Sequence, residues 1–305
     1  MIWCLIGSAL VAVVPVLANV MVAFGAAIAM SGGGRRERAA AYLGGIAMGC
    51  ASTGLLVGAY DLPMTVTSVL CACAVADGVV RDRLRTGSLL LLVTAVTWAM
   101  MGTDMVSTSL QGTSIGELVT NVVNPVVEAS EGSLDLSSTA ALIEARDAMV
   151  VYWPTLYFVV GVALALSSLL GSLMGARASG AGVRAGMLVR YDVPLWVAVV
   201  FALGVAIQLV GLHLPSWQDG VAMVGANVVM CARLALAQQG LSVLLWWMAE
   251  RRAPSVARAM AVLAALWLEM SFALTSVVGL LDVGLNFRHM ERRRPDLVRG
   301  SGGER

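Results

Sequence analysis

The chain has 305 residues, 59% of them hydrophobic, with a mean hydropathy of +0.84. Soluble domains hold roughly 45–50% apolar residues, so a soluble globular fold is excluded. The 20 basic residues, all arginine, nearly cancel the 19 acids, and nothing in that balance points to nucleic acid as a partner.

Residues 2–30 are apolar apart from Pro15 and Asn19 and carry no basic leader. A cleaved signal peptide has a charged start and a shorter apolar core, so the run reads as a retained membrane helix kinked at Pro15. Seven more apolar runs follow, at 39–60, 62–80, 87–110, 148–174, 193–213, 219–249 and 255–286. A helix needs about 20 residues to cross a hydrocarbon core of ~30 Å. The expected fold is therefore all-α, a polytopic transmembrane bundle of about eight segments. Residues 1–290 form a single transmembrane domain in this reading, with a flexible basic tail at 291–305.

The connections sort by charge. Arg35, Arg36 and Arg38, then Arg81, Arg83 and Arg85, then Arg177, Arg184 and Arg190, then Arg251 and Arg252 alternate with connections poor in arginine. Arginine-rich turns stay in the cytoplasm, which puts the amino terminus outside and residues 250–254 inside. Residues 104–149, with seven acids against Arg146 alone, form an extracytoplasmic loop. Within it, Ser114 and Glu117 have capping-box spacing, and an apolar stripe follows that Pro125 breaks. A second helical stretch, Ser138 to Met149, continues into the next span. Two short amphipathic helices result, which either cap an outward-facing cavity or lie on lipid headgroups.

The last apolar run strains the pattern. A simple crossing of 255–286 would place Arg288 and Arg292–Arg294 outside. Either this run is a bent or re-entrant pair, or one crossing near the amino terminus is miscounted.

Polar groups at membrane depth are the candidate site. Ionised residues there cost about 2.5–3.5 kcal/mol each on insertion scales, so they face protein or water and find partners. Arg233 precedes Glu250 by 17 residues and Glu269 follows Pro254 by 15. At about 1.5 Å per residue both lie roughly 22–25 Å from the inner surface. On neighbouring antiparallel helices they meet as a salt bridge, which either pins helix register or lines a ligand or proton path. Asn227, Arg233, Gln238 and Gln239 cover several faces of 219–249, so that helix is central or borders a wet cavity. With Gln208 these polar groups and Glu269 are the ligand-cavity candidates. Structural candidates are Asp282 with Asn286 and Arg288, and Asp77 with Arg81, four apart and paired.

No zinc-protease, Walker or serine-hydrolase motif occurs, and there are no paired intramembrane aspartates. His213, His289 and the five cysteines form no ligand set, so no metal, no cofactor and no enzymatic activity are expected.

Several strings form an ordered set around the acidic loop: Arg146 with Tyr152-Trp153-Pro154, Tyr191-Asp192-Val193-Pro194, Gln239-Gly240-Leu241-Ser242, and Gly279 through Arg288. This set resembles the YybS family of bacterial integral membrane proteins over about residues 40–290. Asn286 stands where that family commonly has an acidic residue. The YybS family in turn looks like the substrate-binding components of energy-coupling-factor transporters. The resemblance implies a plasma-membrane protein that captures a small molecule and depends on separate energising subunits. A non-transporting scaffold, whose tail meets anionic lipid or a cytoplasmic partner, is the alternative.

Overall fold

The computed structural model describes residues 1–32, 34–58, 61–130, 136–180, 191–211, 213 and 218–289. Among them are eleven helices and no strand: α1 (Ile2–Leu10), α2 (Pro15–Ser31), α3 (Arg35–Leu56), α4 (Leu62–Val80), α5 (Thr86–Leu110), α6 (Ile115–Ser130), α7 (Leu136–Ala178), α8 (Leu195–Gly211), α9 (Gln218–Glu250), α10 (Ser255–Phe272) and α11 (Leu274–Leu285). Six of these, α3, α4, α5, α7, α9 and α10, are long and apolar enough to cross a membrane. α2, α8 and α11 are shorter apolar helices. The all-α polytopic architecture is thus the one the apolar runs specify. The expected tail beyond 290, with Arg184 and Arg190, lies outside the described residues.

Two compact units divide the chain, Met1–Gly186 with Val199–Ala232, and Met187–Ala198 with Arg233–Arg305.

In the first unit α2 is central, packed on α1, α4 and α7. The amino-terminal run is not a single kinked span. It folds back at residues 11–14, where Val13 and Val14 both donate to the Leu10 carbonyl. Pro15 opens α2 at a position where its missing N–H costs nothing. Two glycines permit the reversal: a Cβ on Gly25 would lie 2.2 Å from the Cys4 nitrogen, and one on Gly7 would lie 2.6 Å from the Val22 nitrogen. Membrane helices lack a hydrophobic drive toward each other and rely on such close approach.

This hairpin corrects the placement of the amino terminus. Asn19 bonds Ser168, and Gly171 and Gly175 pack on Val20 and Phe24. The residue numbers climb together, so α2 runs parallel to α7 toward its Arg177 end. α1, antiparallel to α2, therefore begins at the Arg177 end of α7, the side that the arginine pattern marks as inner. A nine-residue helix is about 14 Å long and cannot cross.

α3 and α4 are antiparallel, joined across their outer ends by Thr53 and Thr65 hydroxyls 2.8 Å apart. In the acidic region Ser114 and Glu117 close the capping box: the Ser114 amide donates to Glu117 Oε2 at 2.8 Å and the Glu117 amide to Ser114 Oγ at 3.2 Å. α6 runs through Pro125 instead of breaking there; it packs on α7 with Ile115 and Val127 buried, while Leu118 and Val122 stay exposed. The second outer helix is the start of α7, whose 43 residues reach about 64 Å.

In the second unit, the end of α9 turns at 251–254 into α10, and a left-handed Ala273 (φ 54°) separates α10 from α11. Contacts at Arg233–Ser276, Leu236–Gly279 and Gln239–Asp282 climb together. α11 therefore runs parallel to the end of α9, back toward the 250–254 turn. The bent pair expected for 255–286 is formed, and Arg288 returns to the end of the unit that bears Arg251 and Arg252.

Candidate functional site

The break at Ala273 carries the Arg233–Glu269 pair. Arg233 Nε donates to Glu269 Oε1 at 2.8 Å and Nη2 donates to the Glu269 backbone carbonyl at 2.7 Å. The second Glu269 oxygen accepts the Ser276 amide at 2.8 Å, and the Ser276 hydroxyl donates to Oε1. The physics is complementary at both ends of the gap. A helix leaves unsatisfied carbonyls and partial negative charge at its carboxyl end, and amides with partial positive charge at its amino end. The guanidinium sits on the end of α10 and the carboxylate on the start of α11, and the two charges neutralise each other. Backbone broken at membrane depth is tolerated only where protein satisfies it. The pair is partly shielded, with the Arg233 side chain 28% exposed and that of Glu269 12%. Among the described residues Arg233 Nη1 makes no hydrogen bond.

Six residues further along α9 lies a second cluster. Gln239 is fully buried. Its Nε2 donates to Asp282 Oδ2 at 2.7 Å and to Asp192 Oδ1 at 3.2 Å, and its Oε1 accepts the Val193 amide at 2.9 Å. Arg288, also fully buried in its side chain, bonds Asp282 Oδ2 at 3.0 Å and stands 3.7 Å from Asp192. Burial pushes the neighbouring Tyr191 phenol above its ordinary pKa, keeping it neutral. Asn286 has left-handed backbone (φ 51°) and ends α11, its amide on the Asp282 carbonyl, the usual role of asparagine after a helix. The expected Asp282–Arg288 pair is formed. Sequence reasoning missed Asp192 and Ser276. Asp192 was legible only as part of a motif two residues before Pro194, and Ser276 carried no signal of its own.

In the first unit Asn227 does something no spacing announces. Pro154 lies inside α7, where it lacks a backbone donor and crowds the preceding turn, and the next amide, that of Thr155, stands four residues from the Val151 carbonyl. Asn227 is spliced between them: Oδ1 accepts the Thr155 amide at 3.0 Å and its hydroxyl at 2.7 Å, while Nδ2 donates to Val151 and Met223 carbonyls, both at 2.8 Å. All four hydrogen-bonding positions of the amide are filled. Gln208 packs its backbone on Gly225, and Gln238 is half-buried. Neither side chain makes a hydrogen bond among the described residues. Asp77 pairs with Arg81 at 2.9 Å, as its spacing requires, and lies 3.9 Å from Arg38 as well.

The six ligand-cavity candidates therefore have different partners: Arg233 with Glu269, Gln239 with the Asp282 cluster, Asn227 beside Pro154 of α7, and Gln208 and Gln238 without a side-chain hydrogen bond among the described residues. A crevice of about 560 Å³ lies elsewhere, between Pro63 on α4 and Trp98, Gly102, Thr103 and Val106 on α5. It is lined by none of the six.

An all-helical, multi-pass integral membrane protein is the class these features define. Residues 1–283 match DUF2232, a family of predicted membrane proteins, and the chain belongs to that family. Comparison with curated proteins and with solved structures yields no match.

Proposed function

We propose that this protein is a non-enzymatic plasma-membrane subunit that captures a small solute from outside and is energised by separate partner subunits. One observation carries the reading: an ion pair at the break of a discontinuous helix. Secondary transporters build their sites from such broken helices, whose ends and freed backbone groups meet the solute near mid-membrane. Arg233 fits that use, since it clamps the break and keeps one guanidinium nitrogen uncommitted. The resemblance to the YybS family, and through it to energy-coupling-factor substrate-binding components, agrees in kind and names no ligand. The scaffold alternative draws on Asn227 and Gln239, whose hydrogen-bonding capacity is spent within the protein.

The test is extraction of small molecules from the purified protein in lipid nanodiscs, read by mass spectrometry, for wild type and Arg233→Gln. A solute retained by wild type and lost from an equally well-folded R233Q supports capture. If neither form retains a solute, and no solute protects either against heat, the scaffold reading takes its place.

A further inference from the structure

The inner ends of α3 and α4 hold more positive charge than their acids neutralise. The two helices are antiparallel, so Arg38 near the start of α3 stands beside Asp77 near the end of α4. Asp77 Oδ1 forms an ion pair with Arg81 Nε at 2.9 Å and lies 3.9 Å from Arg38 Nη1. One carboxylate thus serves two guanidiniums. Around it, residues 34–38 and 77–85 hold six arginines against three acids. Arg35, Arg36, Arg83 and Arg85 form no ion pair among the described residues.

Depth matters as much as charge. The Arg38 and Arg81 side chains are 28% and 33% exposed, so they are half sunk at the ends of two spans, on the arginine-bearing side. Headgroup regions flank the hydrocarbon core at the ends of spanning helices. The planar guanidinium fork matches phosphate oxygens in pairs, and basic pockets between spans on the cytoplasmic side bind anionic headgroups. The arginines of the 250–254 turn differ, because Arg251 is already laid over the Trp247 ring at 3.7 Å.

We propose that the inner ends of α3 and α4 form a binding site for a phosphodiester anion, supplied by the headgroup of an anionic phospholipid, with Arg38 and Arg81 as its contacts and Asp77 as the competing internal anion.

Native mass spectrometry of the full chain, released from nanodiscs of equal phosphatidylglycerol and phosphatidylcholine, tests this. Wild type is expected to retain phosphatidylglycerol in preference. Arg38→Gln with Arg81→Gln weakens that retention, by about fivefold per arginine. Asp77→Asn strengthens it, a gain that misfolding would not produce. Arg251→Gln with Arg252→Gln leaves it within twofold. Equal retention of both lipids, no gain in D77N, or an equal loss in R251Q/R252Q would overturn the site. Displacement of the lipid by millimolar inorganic phosphate would assign the site to free phosphate and overturn the lipid source.

Discussion

The chain reverses within an apolar run twice, and it holds the two reversals by different physics. At the amino-terminal end, α1 folds onto α2 through a turn of valines that satisfies its own backbone, and the contact is made by Gly7 and Gly25 without any charge. At the carboxyl-terminal end, α10 and α11 part at Ala273, and Arg233 with Glu269 caps both open ends. The first solution is purely steric and has little chemistry to offer a solute. The second places a guanidinium and a carboxylate at the broken ends, which is why function is sought there.

Removing charge separates the two regions most sharply. Arg233→Leu leaves Glu269 unpaired in a shielded site, and breaking such a pair costs about 3–5 kcal/mol. Unfolding of the protein in nanodiscs is expected to shift accordingly, while the double variant R233L/E269L recovers part of the loss. A loss in R233L/E269L equal to the sum of the two single losses would mean that the charges do not act on each other. No charge substitution has a counterpart in the α1–α2 hairpin.

Steric substitution should strike both regions alike. A Cβ on Gly279 would lie 1.9 Å from the Leu236 carbonyl oxygen, and one on Gly25 meets the Cys4 backbone. Gly279→Val and Gly25→Val are each expected to destabilise by at least about 1–3 kcal/mol, the usual range for overpacking. A tolerated G25V would show that α1 does not lie against α2.

The smallest effect has opposite signs at the two turns. Ala273 has a left-handed backbone (φ 54°) that glycine adopts without strain, so Ala273→Gly should stabilise by up to about 1 kcal/mol. Among residues 11–14 none has positive φ. Val13→Gly there should destabilise by a similar amount, through the extra freedom of the unfolded chain. Chemical denaturation of the two variants side by side reads the sign directly.

Much of this was legible in the residues. The apolar runs gave the helices, Ser114 and Glu117 gave a cap, and equal distances from one turn brought Arg233 and Glu269 level. The amino-terminal hairpin was hidden because Pro15 reads equally as a kink or as a helix start, and only the glycine contacts decide. Pro125 suggested a break, yet α6 runs through it, packed on α7. Asn227 looked like a polar face of α9, whereas its partners are Thr155 and the Val151 carbonyl on another helix, which no periodicity reveals. The Asp282–Arg288 pair lay close in sequence and was found. Its extension to Asp192 and Gln239 joins segments about 40 residues or more apart, beyond the reach of local spacing.

The return of the chain at Ala273 is best tested by sidedness. In a cysteine-free background, His289→Cys and Arg252→Cys should both react with an impermeant maleimide from the cytoplasmic face of sealed membranes and not from the outside. Labelling of residue 289 from outside, with residue 252 labelled from the cytoplasm, would make 255–286 a simple crossing and remove the clamped break.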